Sequence, residues 1–348
     1  MSLDNGSNVV HDVEQTKKIY STLFFIAKLR VFKFLVMETI DYKKIISEYP
    51  WITSRDQKAI LSPDMDGLLC GLLMSHYLNW SIVGFYDGKF LLLKEKFSTK
   101  SCIFLDMEIL RKNIRSIGHH MNVHNFDELP VDYNDCMLSC INPNQIRGFD
   151  RIHKFPQKYP LGTIHLLMYI LETEYPGLVK IRKEGLTPIF FADGVWKILF
   201  KYTSNVLDWF YYLHSDREAD WWLKLKQLSV IDLIKDIENL LKKFKKIEPN
   251  NKNWYGHIDI SVFPKQKDLL FDVLELLSRL IGWKHDREKW DLYDLKEYKF
   301  TKEIYGQDNF GSRSNEQFFN IWNKKPLSLA MTEGTTIQYT IEGPDKLP

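Results

Sequence analysis

Acidic residues stand where apolar runs end. Asp64 and Asp66 lie in Pro63-Asp64-Met65-Asp66-Gly67, directly after Ala59 to Ser62, and Asp106 follows the run Ser101 to Leu105. A histidine pair comes next, in Ser116-Ile117-Gly118-His119-His120, and a further aspartate, Asp193, sits in Phe190-Phe191-Ala192-Asp193-Gly194. Carboxylates gathered in one place repel one another unless a cation neutralises them. Oxygen donors with one imidazole suit Mn²⁺ or Mg²⁺. Each piece also has a plainer reading: a turn for D-x-D-G, a structural or exposed His pair, a helix cap for Asp193. Order and position favour the joint reading, because an unpartnered carboxylate in apolar surroundings is costly.

Those residues need a frame. Ala59 to Ser62 reads as a strand, then an acidic turn, then a buried helix over Leu68 to Tyr77. Ser81 to Tyr86, Phe90 to Leu93, Ser101 to Leu105 and Cys136 to Ile141 read as strands, the last ending at Asn142-Pro143-Asn144. Met107 to Ile114, Leu161 to Leu171 and Ile189 to Phe200 read as helices. Strands that are apolar throughout, alternating with helices, predict an α/β fold with a largely parallel sheet flanked by helices. In such sheets ligands sit beyond the carboxyl ends of the strands, where Asp64, Asp66 and Asp106 fall. The character changes near residue 214. Asp216 to Lys246 is charged, Trp-rich and helical, and a polar connector covers Glu248 to Asn253. A strand is expected over His257 to Phe263, a helix over Gln266 to Ile281, and two strands over Leu327 to Met331 and Thr335 to Glu342. The division expected is a helical extension at 1–54, the α/β domain at 55–214, and a smaller C-terminal α+β domain at 215–348 for substrate binding or an accessory role.

Composition sets the class. The 348 residues are 45% hydrophobic and 26% charged, which excludes wholesale disorder and a collagen-like chain. A net charge of +2 is too small to imply a nucleic-acid field over the whole surface, so any such field is local. The four cysteines, Cys70, Cys102, Cys136 and Cys140, form no C-x-x-C pair and no zinc framework; free thiols and a cytoplasmic setting are expected. No secretory signal pattern opens the sequence. Ile19 to Met37 is apolar but broken by Lys28, Arg30 and Lys33, so it is too charged to span a bilayer. It suits either weak contact with a membrane surface or packing on its own domain. Trp221, Trp222, Lys224, Lys226 and the basic run at 242–246 combine ring faces with charge, as single-stranded nucleic acid requires. Helix core with a wet lysine face is the plainer reading.

Over Arg55 to His214 the chain resembles the DHH phosphoesterases. Asp64-Met65-Asp66-Gly67 is similar to the first motif of that superfamily, Asp106 to the second, Gly118-His119-His120 to the third, and Asp193 to the fourth. Asn142-Pro143 resembles a turn of the RecJ-like and oligoribonuclease-like branches, and Ile60, where other branches carry His, also suits the RecJ-like pattern. Gly118 stands where the name-giving Asp belongs, and the usual Gly-Gly-Gly-His substrate loop is missing; Gly311 to Ser314 echoes another piece of that domain.

The resemblance implies phosphodiester hydrolysis of short nucleic acid or nucleotide substrates with two Mn²⁺ or Mg²⁺ ions. Asp64, Asp66, Asp106, His119 and Asp193 would be the ligands. His120 would serve as phosphate contact or proton donor, and Asn142 with Arg147, or Arg151 and Lys154, would bind substrate. Asp64 and His120 would carry the chemistry. Two other functions stand beside this one. A degenerate scaffold could serve complex assembly, with Gly118 as its support, or the chain could be a small-molecule phosphatase or pyrophosphatase. Without an Asp at 118, His119 is expected to be loosely braced, and Gly118→Asp to tighten Mn²⁺ binding. The two rings are expected to diverge.

Overall fold

The computed structural model describes residues 39–213, 219–251, 254–306, 315–333 and 336–348. The segment 19–37, most of the extension at 1–54 and the echo at 311–314 lie outside the described residues. Residues 40–348 form one unit, and within it the chain opens with helix Tyr42–Glu48, whose first turn is capped by Asp41.

Seven strands make the main sheet: β1 (Lys58–Leu61), β2 (Ser81–Tyr86), β3 (Phe90–Lys94), β4 (Ile103–Leu105), β5 (Arg115–Ile117), β6 (Cys140–Ile141) and β7 (Leu295–Lys299). Their order is β6-β5-β4-β1-β2-β3-β7. β6, β5, β4, β1 and β2 run parallel, while β3 pairs antiparallel with β2 and β7. Ala59, Ile60 and Leu61 are fully buried, as a strand covered on both faces requires. Helix Met65–Leu78 is buried along almost its whole length and packs against helices Thr163–Glu174 and Phe263–Ile281. After β1 the chain moves to β2 on one side and later returns to β4 on the other. The order therefore reverses between β1 and β4, and a crevice opens at their carboxyl ends.

A second sheet holds β8 (Thr301–Tyr305), β9 (Ser328–Glu333) and β10 (Thr336–Ile341), antiparallel in the order β8-β10-β9. It has its own apolar cluster, including Met121, Tyr133, Phe318, Trp322 and Met331, and an isolated bridge joins Met331 to Met121. β7 lies in the main sheet and β8 in the small one, so elements from both sides of residue 214 share the fold.

Several local expectations need correction. Met107 to Ile114 forms no helix, because the backbone of Asp106 turns left-handed (φ 67°) and Met107 N–H donates to Ile117 O, which draws the segment along β5. Cys136 to Ile141 is not one strand. Helix Tyr133–Met137 takes its start, and only Cys140–Ile141 pairs with the short β5. His257 to Phe263 is not a strand either. Ile258 N–H donates to Pro63 O at 2.7 Å, and a turn capped by Asp259 leads into helix Phe263–Ile281, with Pro264 in its first turn. Ile189 to Phe200 is two helices, Leu186–Phe191 and Val195–Lys201, broken where Asp193 (φ 51°) and Gly194 (φ 66°) are both left-handed. All four cysteines are free. Among the described residues no helix is long and apolar enough to cross a membrane.

Candidate metal centre

Asp66 lies in the first turn of helix Met65–Leu78 and is fully buried. Its Oδ2 accepts from Thr163 N–H at 2.6 Å and its Oδ1 from Ile164 N–H at 3.0 Å. The carboxylate therefore caps the start of helix Thr163–Glu174, where free N–H groups and the helix dipole favour an anion. Gly162 makes the approach possible, because a Cβ there would stand 2.8 Å from Oδ2 and 2.9 Å from Oδ1. Thr163 ties the centre together: its hydroxyl donates to Asp106 Oδ1 at 2.7 Å and lies 2.9 Å from His119 Nδ1.

Asp106 ends β4 and is 4% exposed. His119, just beyond β5, lies between the carboxylates. Its Nδ1 is 3.2 Å from Asp106 and 3.7 Å from Asp66, and its Nε2 is 3.2 Å from Asp193. Asp193 reaches this point from the exposed break between two helices. One donor atom each from Asp66, Asp106, His119 and Asp193 lie within 4.8 Å of one another. Two of the four residues, Asp106 and Asp193, hold left-handed backbone, which Asp tolerates better than most residues and which concentrates at functional sites.

The electrostatics call for a cation. Burial, then the charges of Asp106 and Asp193, push the Asp66 carboxyl well above the ordinary carboxylate range. Burial, then Asp64 and Asp193, do the same to Asp106. Burial and Asp66 raise the Cys70 thiol and the Tyr159 hydroxyl as well, which leaves both neutral. Three carboxylates and one imidazole are a hard donor set that fits Mn²⁺ or Mg²⁺.

The other expected residues divide. Asp64 lies outside the group of four: its Oδ1 accepts from Gly67 N–H at 3.0 Å and its Oδ2 from Ser62 Oγ at 2.7 Å. It nonetheless lines both neighbouring cavities. His120 does not diverge from His119; the rings stack at 4.3 Å with 26° between planes, though their partners differ. Asn142 is buried and spent on bracing: it donates to Glu108 Oε1 and His120 O, and caps the turn Pro143–Ile146. Arg147 lines neither cavity. Its guanidinium pairs with Asp208 at 2.8 Å and stacks on Phe149, Trp209 and Tyr212. Trp221 is fully buried against Tyr169, and Lys224 pairs with Asp220, so Trp221 has no face free for a base.

The centre opens on two cavities. One, about 370 Å³, is bounded by Asp64, Asp106, Glu108 and His120 on one side and by the small sheet, through Ser328, Gln338 and Tyr339, on the other. The second, about 310 Å³, is lined by Asp64, Asp193, Phe191, Trp196, Lys197 and Tyr255. His257 borders both, held beside the acidic turn by the Ile258–Pro63 hydrogen bond. Sequence reasoning missed Thr163, Glu108 and His257. Thr163 opens an apolar helix, Glu108 sits two places after Asp106 in a stretch read as helix, and His257 is far down the chain in a stretch read as strand. Among them only Glu108, a charge in an apolar run, left a signal in the sequence.

Comparison of the chain with protein-family models, curated proteins and solved structures finds no match.

Proposed function

We propose that this protein is a divalent-metal-dependent phosphoesterase of the DHH type, acting on phosphodiesters of nucleotides or short single-stranded nucleic acid. The observation that carries the reading is the convergence of Asp66, Asp106, His119 and Asp193 at the reversal point of the parallel sheet, beside an open cleft. Asp66, Asp106, His119 and Asp193 would hold one Mn²⁺ or Mg²⁺, and Asp64 is the further carboxylate beside them for a second. A bound ion supplies positive charge to phosphate oxygens and acidifies a water molecule.

This chain's residues would do the rest. His120, on the cavity wall, is positioned to meet the phosphate or to give a proton to the leaving oxygen. His257 borders both cavities and is a second phosphate contact. Two cavities meeting at Asp64 suit a phosphorus carrying a group on each side, which favours a diester over inorganic pyrophosphate. Trp196 and Tyr255 offer aromatic surface to one of those groups. The test is a screen of phosphodiester oligomers, cyclic dinucleotides and pyrophosphate with Mn²⁺, with Mg²⁺ and with chelator. Metal-dependent turnover of a diester is expected; turnover of pyrophosphate alone, or none that metal restores, sinks the reading.

A further inference from the structure

Glu108 is a carboxylate with 3% exposure, close to the metal centre but outside its ligand set. A buried carboxylate must be paid for by partners. Its Oε1 accepts from the His120 backbone N–H at 2.8 Å and from Asn142 Nδ2 at 2.9 Å, and its Oε2 lies 3.3 Å from His120 Nδ1. Asn142 also holds the His120 carbonyl at 2.8 Å, and Asn144 holds that of His119 at 2.9 Å. The room for this carboxylate comes from Gly118. A Cβ on residue 118 would stand 2.3 Å from Glu108 Oε1 and 2.5 Å from its Cδ. The expectation that Gly118 leaves the histidine turn unbraced, and that Gly118→Asp would tighten it, is therefore reversed: the space is already filled by a carboxylate from another element.

We infer that Glu108 is the positioning residue for His120, and that Gly118 and Glu108 form a compensating pair in which the carboxylate expected at 118 is delivered from 108. The inference rests on the phosphoesterase reading for its catalytic consequence but not for its geometry. Glu108 accepts from the His120 ring through Nδ1, so the neutral ring carries its proton there. Nε2, which makes no hydrogen bond among the described residues, is left for the cleft. The arrangement fixes the ring's orientation and leaves Nε2 as the nitrogen that, when the ring is protonated, carries the proton that meets the phosphate or passes to the leaving oxygen.

The decisive substitution is Glu108→Gln. The amide oxygen can still accept from His120 N–H and Asn142, but its NH₂ then faces Nδ1 and can only donate. Nδ1 must become an acceptor, and the proton moves to Nε2. Long-range ¹H–¹⁵N NMR of the metal-free protein reads the tautomer directly; an Nδ1–H ring is expected in the wild type and an Nε2–H ring in the variant. With Mn²⁺ and bis(p-nitrophenyl) phosphate as probe, kcat should fall about 10–100-fold with KM nearly unchanged. The second arm is a swap. Gly118→Asp alone should lose activity, and Glu108→Ala/Gly118→Asp should exceed both Glu108→Ala and Gly118→Asp. An unchanged tautomer in Glu108→Gln overturns the inference, as does a folded double variant no better than its worse parent. If the wild type shows no turnover but its ring is Nδ1–H and switches as described, the phosphoesterase reading falls and the positioning role stands.

Discussion

Asp106→Asn removes one charge from the centre with little other disturbance. The residue sits at φ 67°, a conformation Asn tolerates as well as Asp. The bond from Thr163 Oγ1 at 2.7 Å can be kept by the amide oxygen. What changes is electrostatic. Burial, with Asp64 and Asp193 nearby, disfavours the ionised carboxylate of Asp106, so at neutral pH that charge weakens the metal-free fold. The variant should therefore melt higher than the wild type in chelator. Its response to metal should move the other way. Selective binding to the folded state is worth about 2.7 kcal/mol at a hundredfold excess over Kd. Unfolding entropy near 2.1 cal/mol/K per residue then gives a rise of about 4 °C for a chain of this length. Differential scanning fluorimetry with and without Mn²⁺ reads both effects. The expected pattern is a rise of about 4 °C in the wild type and little or none in Asp106→Asn. A variant that keeps the full Mn²⁺ rise, or that melts lower than the wild type in chelator, refutes the reasoning.

The raised carboxyl pKa values of Asp66 and Asp106 fix a pH dependence. Between the unfolded value of about 3.9 and the raised folded values, the native chain binds more protons, so metal-free stability falls as pH rises. The Mn²⁺-induced shift should grow over the same interval as metal replaces protons; melting in chelator against pH should therefore slope downward, and an upward slope would contradict the burial of the pair. His119→Ala should weaken Mn²⁺ binding and turnover together, whereas His120→Ala should leave calorimetric Mn²⁺ binding nearly intact and cut turnover about 10²–10⁴-fold. Identical behaviour of the two variants would undo the division of roles. Arg147→Ala should lower stability by about 1–2 kcal/mol, from lost stacking on three rings and the Asp208 pair, and leave KM unchanged. A raised KM with unchanged melting would restore it as a substrate contact.

What the sequence revealed of this fold was local. β1, the acidic turn and helix Met65–Leu78 are contiguous, so the apolar run, the turn chemistry and the next apolar run could be read in order. The two closing strands, β9 and β10, were legible for the same reason. β7 was not: none of its residues is buried, so no apolar run marks it, and its partner β3 is some two hundred residues earlier in the chain. Of the four residues that converge, the three aspartates could be picked out because carboxylates in apolar surroundings need a cause, and His119 because it stands in a histidine pair that follows them. The group around them could not. Thr163 is an ordinary helix start until the fold aims it at Asp66, Asp106 and His119. Arg147 looked like a phosphate contact because charge is visible in a sequence, while two of the three rings that sequester it, Trp209 and Tyr212, lie on helix Thr203–Leu213, some sixty residues further along, and reach it only by folding. Gly118 looked like a loss because its replacement, Glu108, reaches the same space from a different loop.

Asp66, Asp106, His119 and Asp193 are expected to bind a divalent metal together. Anomalous diffraction from a crystal soaked in Mn²⁺ tests this most directly. An anomalous peak bonded to carboxylate oxygens of Asp66, Asp106 and Asp193 and to a ring nitrogen of His119 is the predicted result, and the same soak of Asp106→Asn should lose or weaken it. A fully soaked wild-type crystal with no peak between these residues, or with its peaks only on other surface carboxylates, would contradict the account.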